Sequence, residues 1–253
     1  MKIYVIAANT FREAFKDRLI LGLLAAGILL ILSSVVMAEL AYVQRVKVIS
    51  DVGLAVITLT GLIMAIFSGS NLFARELEQK RVCSILSKPV PRYQLVVGKY
   101  AGTVFSLTFN LVIMALFLIG LLYADSRTWE FDLLKAVALI EAELMVVAAV
   151  ALLFSTFTTS ILSVFYTLLI LIAGHMIEDI KAYWQIKSLV GRIFTKLVYY
   201  VVPNLDNFNV KPEVVHNVPV PPAVLAHACL YGALYIVVIV AAAVWLFQYR
   251  DLD

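Results

Sequence analysis

The chain has 253 residues, 63% of them apolar and 15% charged, against about 45 to 50% and 25% in an ordinary soluble domain. That composition excludes a soluble fold, and at about 20 residues per membrane-spanning helix the length holds roughly six spans and no large catalytic domain. The net charge of +3 is small, and the basic residues lie mostly in gaps between apolar runs, as membrane-flanking residues do, which excludes nucleic acid as the partner.

Residues 1–18 precede the first span. Ile3, Ala7, Phe11 and Phe15 recur at helical spacing opposite Lys2, Asn9, Arg12 and Lys16, which suits an amphipathic helix on the membrane surface or one packed on a partner. Uncharged runs mark spans over 19–38, 52–73, 100–123 and 223–247. The first is expected to be retained despite Val36-Met37-Ala38, because both its apolar run and its polar leader are long for a secretory signal. Between Leu144 and Ile177 no acidic or basic residue other than His175 occurs, a run too long for one ordinary span and too short for two. The cluster Ser155-Thr156-Phe157-Thr158-Thr159-Ser160 allows a tight hairpin there, giving spans over 136–156 and 160–177. An all-α, polytopic chain of six transmembrane helices in a single domain is predicted, with a loop at 74–94 and a longer segment at 178–222.

With the N-terminus inside, the short cytoplasmic segments carry 10 Lys and Arg and the short outer loops 4, so both termini are expected in the cytoplasm. The segment 178–222 holds five more on the outside, but a loop of that length weighs little. Within it Ile186, Leu189, Val190, Ile193, Phe194, Leu197 and Val201 repeat at helical spacing, flanked by Tyr183, Trp184, Tyr199 and Tyr200. An amphipathic helix dipping into the outer leaflet and stopped by Pro203-Asn204 is expected.

Catalytic motifs are absent. Gly98-Lys99 lacks the earlier Gly and the following Ser or Thr of a phosphate-binding loop, and no His-Glu-x-x-His, Gly-x-Ser-x-Gly or Cys-x-x-Cys occurs. The two cysteines, Cys83 and Cys229, signal neither a metal cluster nor a disulfide framework. The chain is therefore not expected to be an enzyme or to hold a cofactor. Any ATP hydrolysis belongs to a partner.

The most informative polar segment runs from Ala74 to Pro89. It opens with acids, continues with bases, pairs Glu76 with Lys80 at i,i+4 and ends at proline, all favourable to a short helix. Val82, Ile85 and Leu86 form its apolar stripe. On its own such a segment reads as well as a solvated connector resting on the inner leaflet.

Asn9-Thr10-Phe11-Arg12-Glu13-Ala14-Phe15-Lys16-Asp17-Arg18 before the first span resembles ABC type-2 export permeases. So do Arg75-Glu76-Leu77-Glu78-Gln79-Lys80-Arg81 leading to Leu86-Ser87-Lys88-Pro89-Val90-Pro91-Arg92, then Gly98-Lys99, and Pro203-Asn204-Leu205-Asp206-Asn207-Phe208 before the last span. The resemblance runs over the whole chain. It implies an N-terminal elbow helix, a cytoplasmic coupling helix docked on a separate ATPase subunit, and an outer re-entrant hairpin. It also implies a half-transporter in a bacterial or archaeal plasma membrane. Two permease copies would form the substrate path between them, with ATP and Mg held by the ATPase partner. Glu76, Glu78, Lys80 and Arg81 would then orient the ATPase, with Val82, Ile85 and Leu86 as anchors.

Glu141 and Glu143 lie inside the fourth span, where a charge is expensive and faces a protein interior or water. Two residues apart on a helix, they point about 200° apart, so at least one is expected to be neutral or at the rim. His175, His227 and Glu39 fall at a similar outer level and are candidates for a polar vestibule, or for interhelical hydrogen bonds that only hold the bundle. Gly98 and Gly102 permit close helix contact, more often within a chain than between chains. Two alternatives stand beside the permease. One is a secondary transporter or ion-coupled channel relaying protons through Glu141, Glu143 and His175, and the other is a structural membrane subunit.

Overall fold

Backbone in hydrocarbon has no water to bond, so each spanning segment must satisfy its own N–H and C=O groups as helix. The computed structural model describes residues 2–40, 44–78, 91–127, 132–177, 196, 199, 201–216 and 218–249, and only the backbone of 2, 40 and 74–78. Among these no strand occurs. In order come α1 (Lys2–Lys16), α2 (Arg18–Leu40), α3 (Arg45–Glu78), α4 (Arg92–Ser126), α5 (Leu133–Ser155), α6 (Ser160–His175), a 3-10 turn (Leu205–Phe208), α7 (Lys211–Val215) and α8 (Pro222–Gln248). Five of them, α2, α3, α4, α5 and α8, are long and apolar enough to cross a membrane, while α6 has 16 residues. The chain has the make-up of an all-helical, multi-pass membrane protein.

The bundle is built around α5. Of its most apolar stretch 67% is buried, against 17% for α2 and for α8. Small side chains explain its central place: a Cβ on Gly69 of α3 would meet the Ala151 Cβ at 2.6 Å and the Ala148 carbonyl at 3.0 Å. Backbones that close gain dispersion contacts that bulky residues would forbid. The outer helices instead leave large apolar side chains exposed, among them Leu29 and Val36 on α2 and Leu234 and Val237 on α8.

The apolar face of α1 is taken up by α4 of the same chain rather than left for a membrane surface. Ile6 lies against Gly98, where a Cβ would meet its side chain at 2.9 Å, and the Ala7 carbonyl lies against Gly102, where a Cβ would stand 2.6 Å away. Phe15 then packs on Phe109 with ring centroids 4.8 Å apart. Rising numbers pair with rising numbers, so the two helices run in the same direction. The buried stripe centres on Ala7 and Ala14, whereas Ile3 and Phe15 stay 37% and 36% exposed. Of the expected stripe, Ala7 is buried and Phe11 and Phe15 pack on Phe109, while Ile3 lies at its rim. Asp17 separates α1 from α2, its carboxylate accepting from the Leu19 N–H at 2.9 Å as an N-cap.

Between α5 and α6 the helices are interrupted at 156–159. Ser155, Thr156 and Thr158 donate their hydroxyls to the carbonyls of Leu152, Leu153 and Phe154, satisfying helix-end acceptors that would otherwise lie bare. At its other end α6 stops early. Its 16 residues rise about 24 Å, short of a hydrocarbon core of about 30 Å. Beside its last turns packs an insert, residues 201–216, which places Leu205, Phe208, Val210 and Val214 in the core. Gly174 faces the Pro203 carbonyl and Leu205, and Gly232 faces the Phe208 ring. The amphipathic helix expected over 186–201 falls almost wholly outside the described residues.

The glycine contacts make opposite forecasts for one substitution. Gly102→Ala forces backbone apart and should destabilise by about 1 to 3 kcal/mol. Gly120→Ala on the same helix meets nothing within 4 Å and should be neutral or stabilising by up to about 1 kcal/mol. Thermal unfolding in detergent distinguishes the two.

Candidate functional site

The two α5 carboxylates serve different neighbours, as their angular separation demands. Glu141 turns to α4, where the Thr108 hydroxyl lies 2.5 Å from its Oε1. The same hydroxyl is 2.9 Å from the Val104 carbonyl, and its single proton can serve only one of them at a time.

Glu143 turns to the end of α6. Its side chain is 1% exposed, and its Oε1 lies 3.2 Å from His175 Nε2. This is an ion-pair contact without hydrogen-bond alignment. The other ring nitrogen, Nδ1, sits 3.1 Å from the Leu171 carbonyl on its own helix, so both nitrogens face oxygen. From the insert, Lys211 Nζ donates to the Thr58 hydroxyl of α3 at 3.3 Å. Glu143 is ten residues beyond Leu133, about 15 Å along the helix. It is the buried member of its contact, whereas His175 is 36% exposed and Lys211 half-buried.

Glu39 and His227 do not join it. Both are exposed, and the His227 ring faces the Ala223 carbonyl of its own helix at 3.1 Å. The outer level they share with His175 is one of height along the helices, and their faces point elsewhere.

A second polar cluster ties the opposite end. Lys99, 6% exposed, donates from Nζ to the Leu72 carbonyl at 2.6 Å and stands 4.6 Å over the Phe73 ring, a cation–π geometry. Arg92 Nη1 donates to the carbonyls of Phe247 and Gln248 at 3.1 and 2.8 Å, supplying donors to the final turn of α8 where the helix dipole is negative. Ser160 donates to Asn71 Oδ1. The ends of α3, α4, α6 and α8 are thereby joined where the loop at 79–90 leaves α3 and enters α4.

Of the expected coupling residues, Glu76 and Glu78 stand in the last turn of α3, with only their backbone described. Lys80, Arg81, Val82, Ile85 and Leu86 lie outside the described residues. Among the described residues no group of three or more His, Cys, Asp or Glu side chains could hold a metal ion. No family model matches the chain, and no curated protein matches it.

Sequence reasoning missed Lys99, Arg92, Thr108 and Lys211. For Lys99 a signal existed: Lys99, Thr103, Ser106 and Asn110 recur at helical spacing, and all four are buried on one face of α4. Lys211 had none, since it follows no periodic run.

The two glutamates should separate by stability. Glu143→Ala empties a fully buried position, while His175, 36% exposed, keeps water as a partner, and should cost about 1 to 3 kcal/mol. Glu141→Ala leaves Thr108 its Val104 carbonyl and should cost about 1 kcal/mol or less. Chemical unfolding in detergent measures both.

Proposed function

We propose that the chain is the transmembrane permease subunit of an ABC-type exporter, crossing a bacterial or archaeal plasma membrane six times with both termini in the cytoplasm. It works as a dimer whose copies enclose the substrate path, and ATP hydrolysis in a partner subunit drives it. The sixth crossing is made by α6, with the insert packed beside its C-terminal turns.

One observation carries this reading. The loop at 79–90 is rooted where four helix ends are held by Lys99, Arg92 and the Ser160–Asn71 bond. A force applied to residues 79–90 would reach α3, α4, α6 and α8 together, because the buried Lys99–Leu72 bond and the half-buried Arg92 and Ser160 bonds tie these helices to one another. This is the mechanical requirement on a segment that converts events in a separate ATPase into helix movement. The motif order that resembles ABC type-2 permeases and the excess of basic residues on this side agree with it.

Gentle detergent purification of the tagged chain from its native membrane tests the reading. An ATPase subunit should co-elute with wild type and be lost from the combined variant Glu78→Arg and Ile85→Asp, while both permeases elute as folded species. Absence of any ATPase from the wild-type preparation would overturn the proposal.

A further inference from the structure

A charge between membrane-spanning helices is expensive, so it needs partners that compensate it. Glu141 is half-buried on α5, and its Oε2 is sealed from solvent without a hydrogen-bond partner. Among the described residues no Lys, Arg or His forms an ion pair with it, in contrast to Glu143, which has His175 at hand. Its polar contact among them is Thr108, 2.5 Å from Oε1, a length that suits a strong donor on either side. The nearest phenol is committed elsewhere. Tyr100, two turns before Thr108 on α4, donates to the Met145 carbonyl, one turn beyond Glu141, at 3.0 Å.

We propose that Glu141 binds a proton in the folded chain, and that its contact with Thr108 is a neutral tie between α5 and α4. Two placements of the protons fit the distances. An ionised Glu141 accepts from the Thr108 hydroxyl, which leaves a full charge with one hydrogen bond and Oε2 bare. With a proton on Oε1, the carboxyl donates to the Thr108 oxygen and the Thr108 hydroxyl donates to the Val104 carbonyl at 2.9 Å. Two hydrogen bonds then replace one, and the charge is gone. Burial selects this second arrangement, because a neutral carboxyl with one bare oxygen costs far less than an ion in the same place. The proton is stationary. Beyond Thr108 lies a main-chain carbonyl, which accepts a hydrogen bond but passes no proton on, and Oε2 has no neighbour to receive one. The site therefore joins two helices without conducting, which removes Glu141 from a proton relay and from a charged substrate path. It does not depend on an ATPase, so loss of co-purification would leave it standing.

Infrared spectroscopy of the full chain in lipid at neutral pH, where a solvated glutamate is ionised, tests it. Wild type should show the carbonyl stretch of an un-ionised carboxylic acid. Glu141→Gln should abolish that band, and Glu143→Gln should leave it in place. Thr108→Val, which removes the accepting hydroxyl, should shift the band to higher frequency, and this variant carries the test if Glu141→Gln does not fold. A wild-type spectrum without the band would overturn the proposal. So would a band that survives Glu141→Gln undiminished, or one that Thr108→Val leaves unmoved.

Discussion

The close approach of α3 to α5 is the contact on which the rest of the bundle depends. Gly61 and Gly69 set α3 so near α5 that a Cβ at either would stand 2.6 Å from Leu144 or Ala151. In a bilayer no hydrophobic force drives helices together, so packing of small residues and interhelical polar bonds must do it. Once α5 is enclosed on this side by α3 and on others by α4, α6 and α8, Glu143 is buried and Glu141 half-buried, and both meet polar groups of neighbouring helices. Thr108 and His175 are those groups. Had α5 been peripheral like α2, Glu143 would have faced lipid.

Charged side chains of the bundle gather at two levels, with a buried polar face of α4, Thr103, Ser106 and Asn110, between them. At one level, main-chain carbonyls of α3 and α8 receive the cations of α4. At the other, Glu143 meets His175, and Lys211 donates to Thr58. Helices α3 and α6 contribute to both levels.

Much of this architecture was legible in the sequence, and the reasons differ by element. Five long apolar helices could be read because hydrocarbon imposes a minimum uncharged length, and the runs around Leu29, Leu62, Val112, Val146 and Val237 meet it. The partners of Glu141 and Glu143 could not be read, since the rotation of a helix about its axis is set by neighbours distant in sequence. Thr108 lies 33 residues from Glu141 and His175 lies 32 from Glu143. The face of α1 was legible in Ala7, Phe11 and Phe15, which meet α4, but its closest approach, at Gly98 and Gly102, was not, because it is made by Ile6 and the Ala7 carbonyl. The contact of Lys211 with Thr58 was hidden because it opens a helix of five residues, too short to show a periodic pattern, and its partner lies 153 residues away.

The sidedness of Thr159 and Asp206 tests most directly whether α6 completes a crossing. Both residues are exposed, one in the turn before α6 and the other on the insert packed beside its far end. Single cysteines placed there in a Cys83→Ser and Cys229→Ser background would be probed with a membrane-impermeant thiol reagent in intact cells and again after lysis. Asp206→Cys should react from outside and Thr159→Cys only once the cytoplasmic face is opened. Reaction of both from the same side would mean that α6 turns back within the membrane, and the six-crossing permease could not then stand.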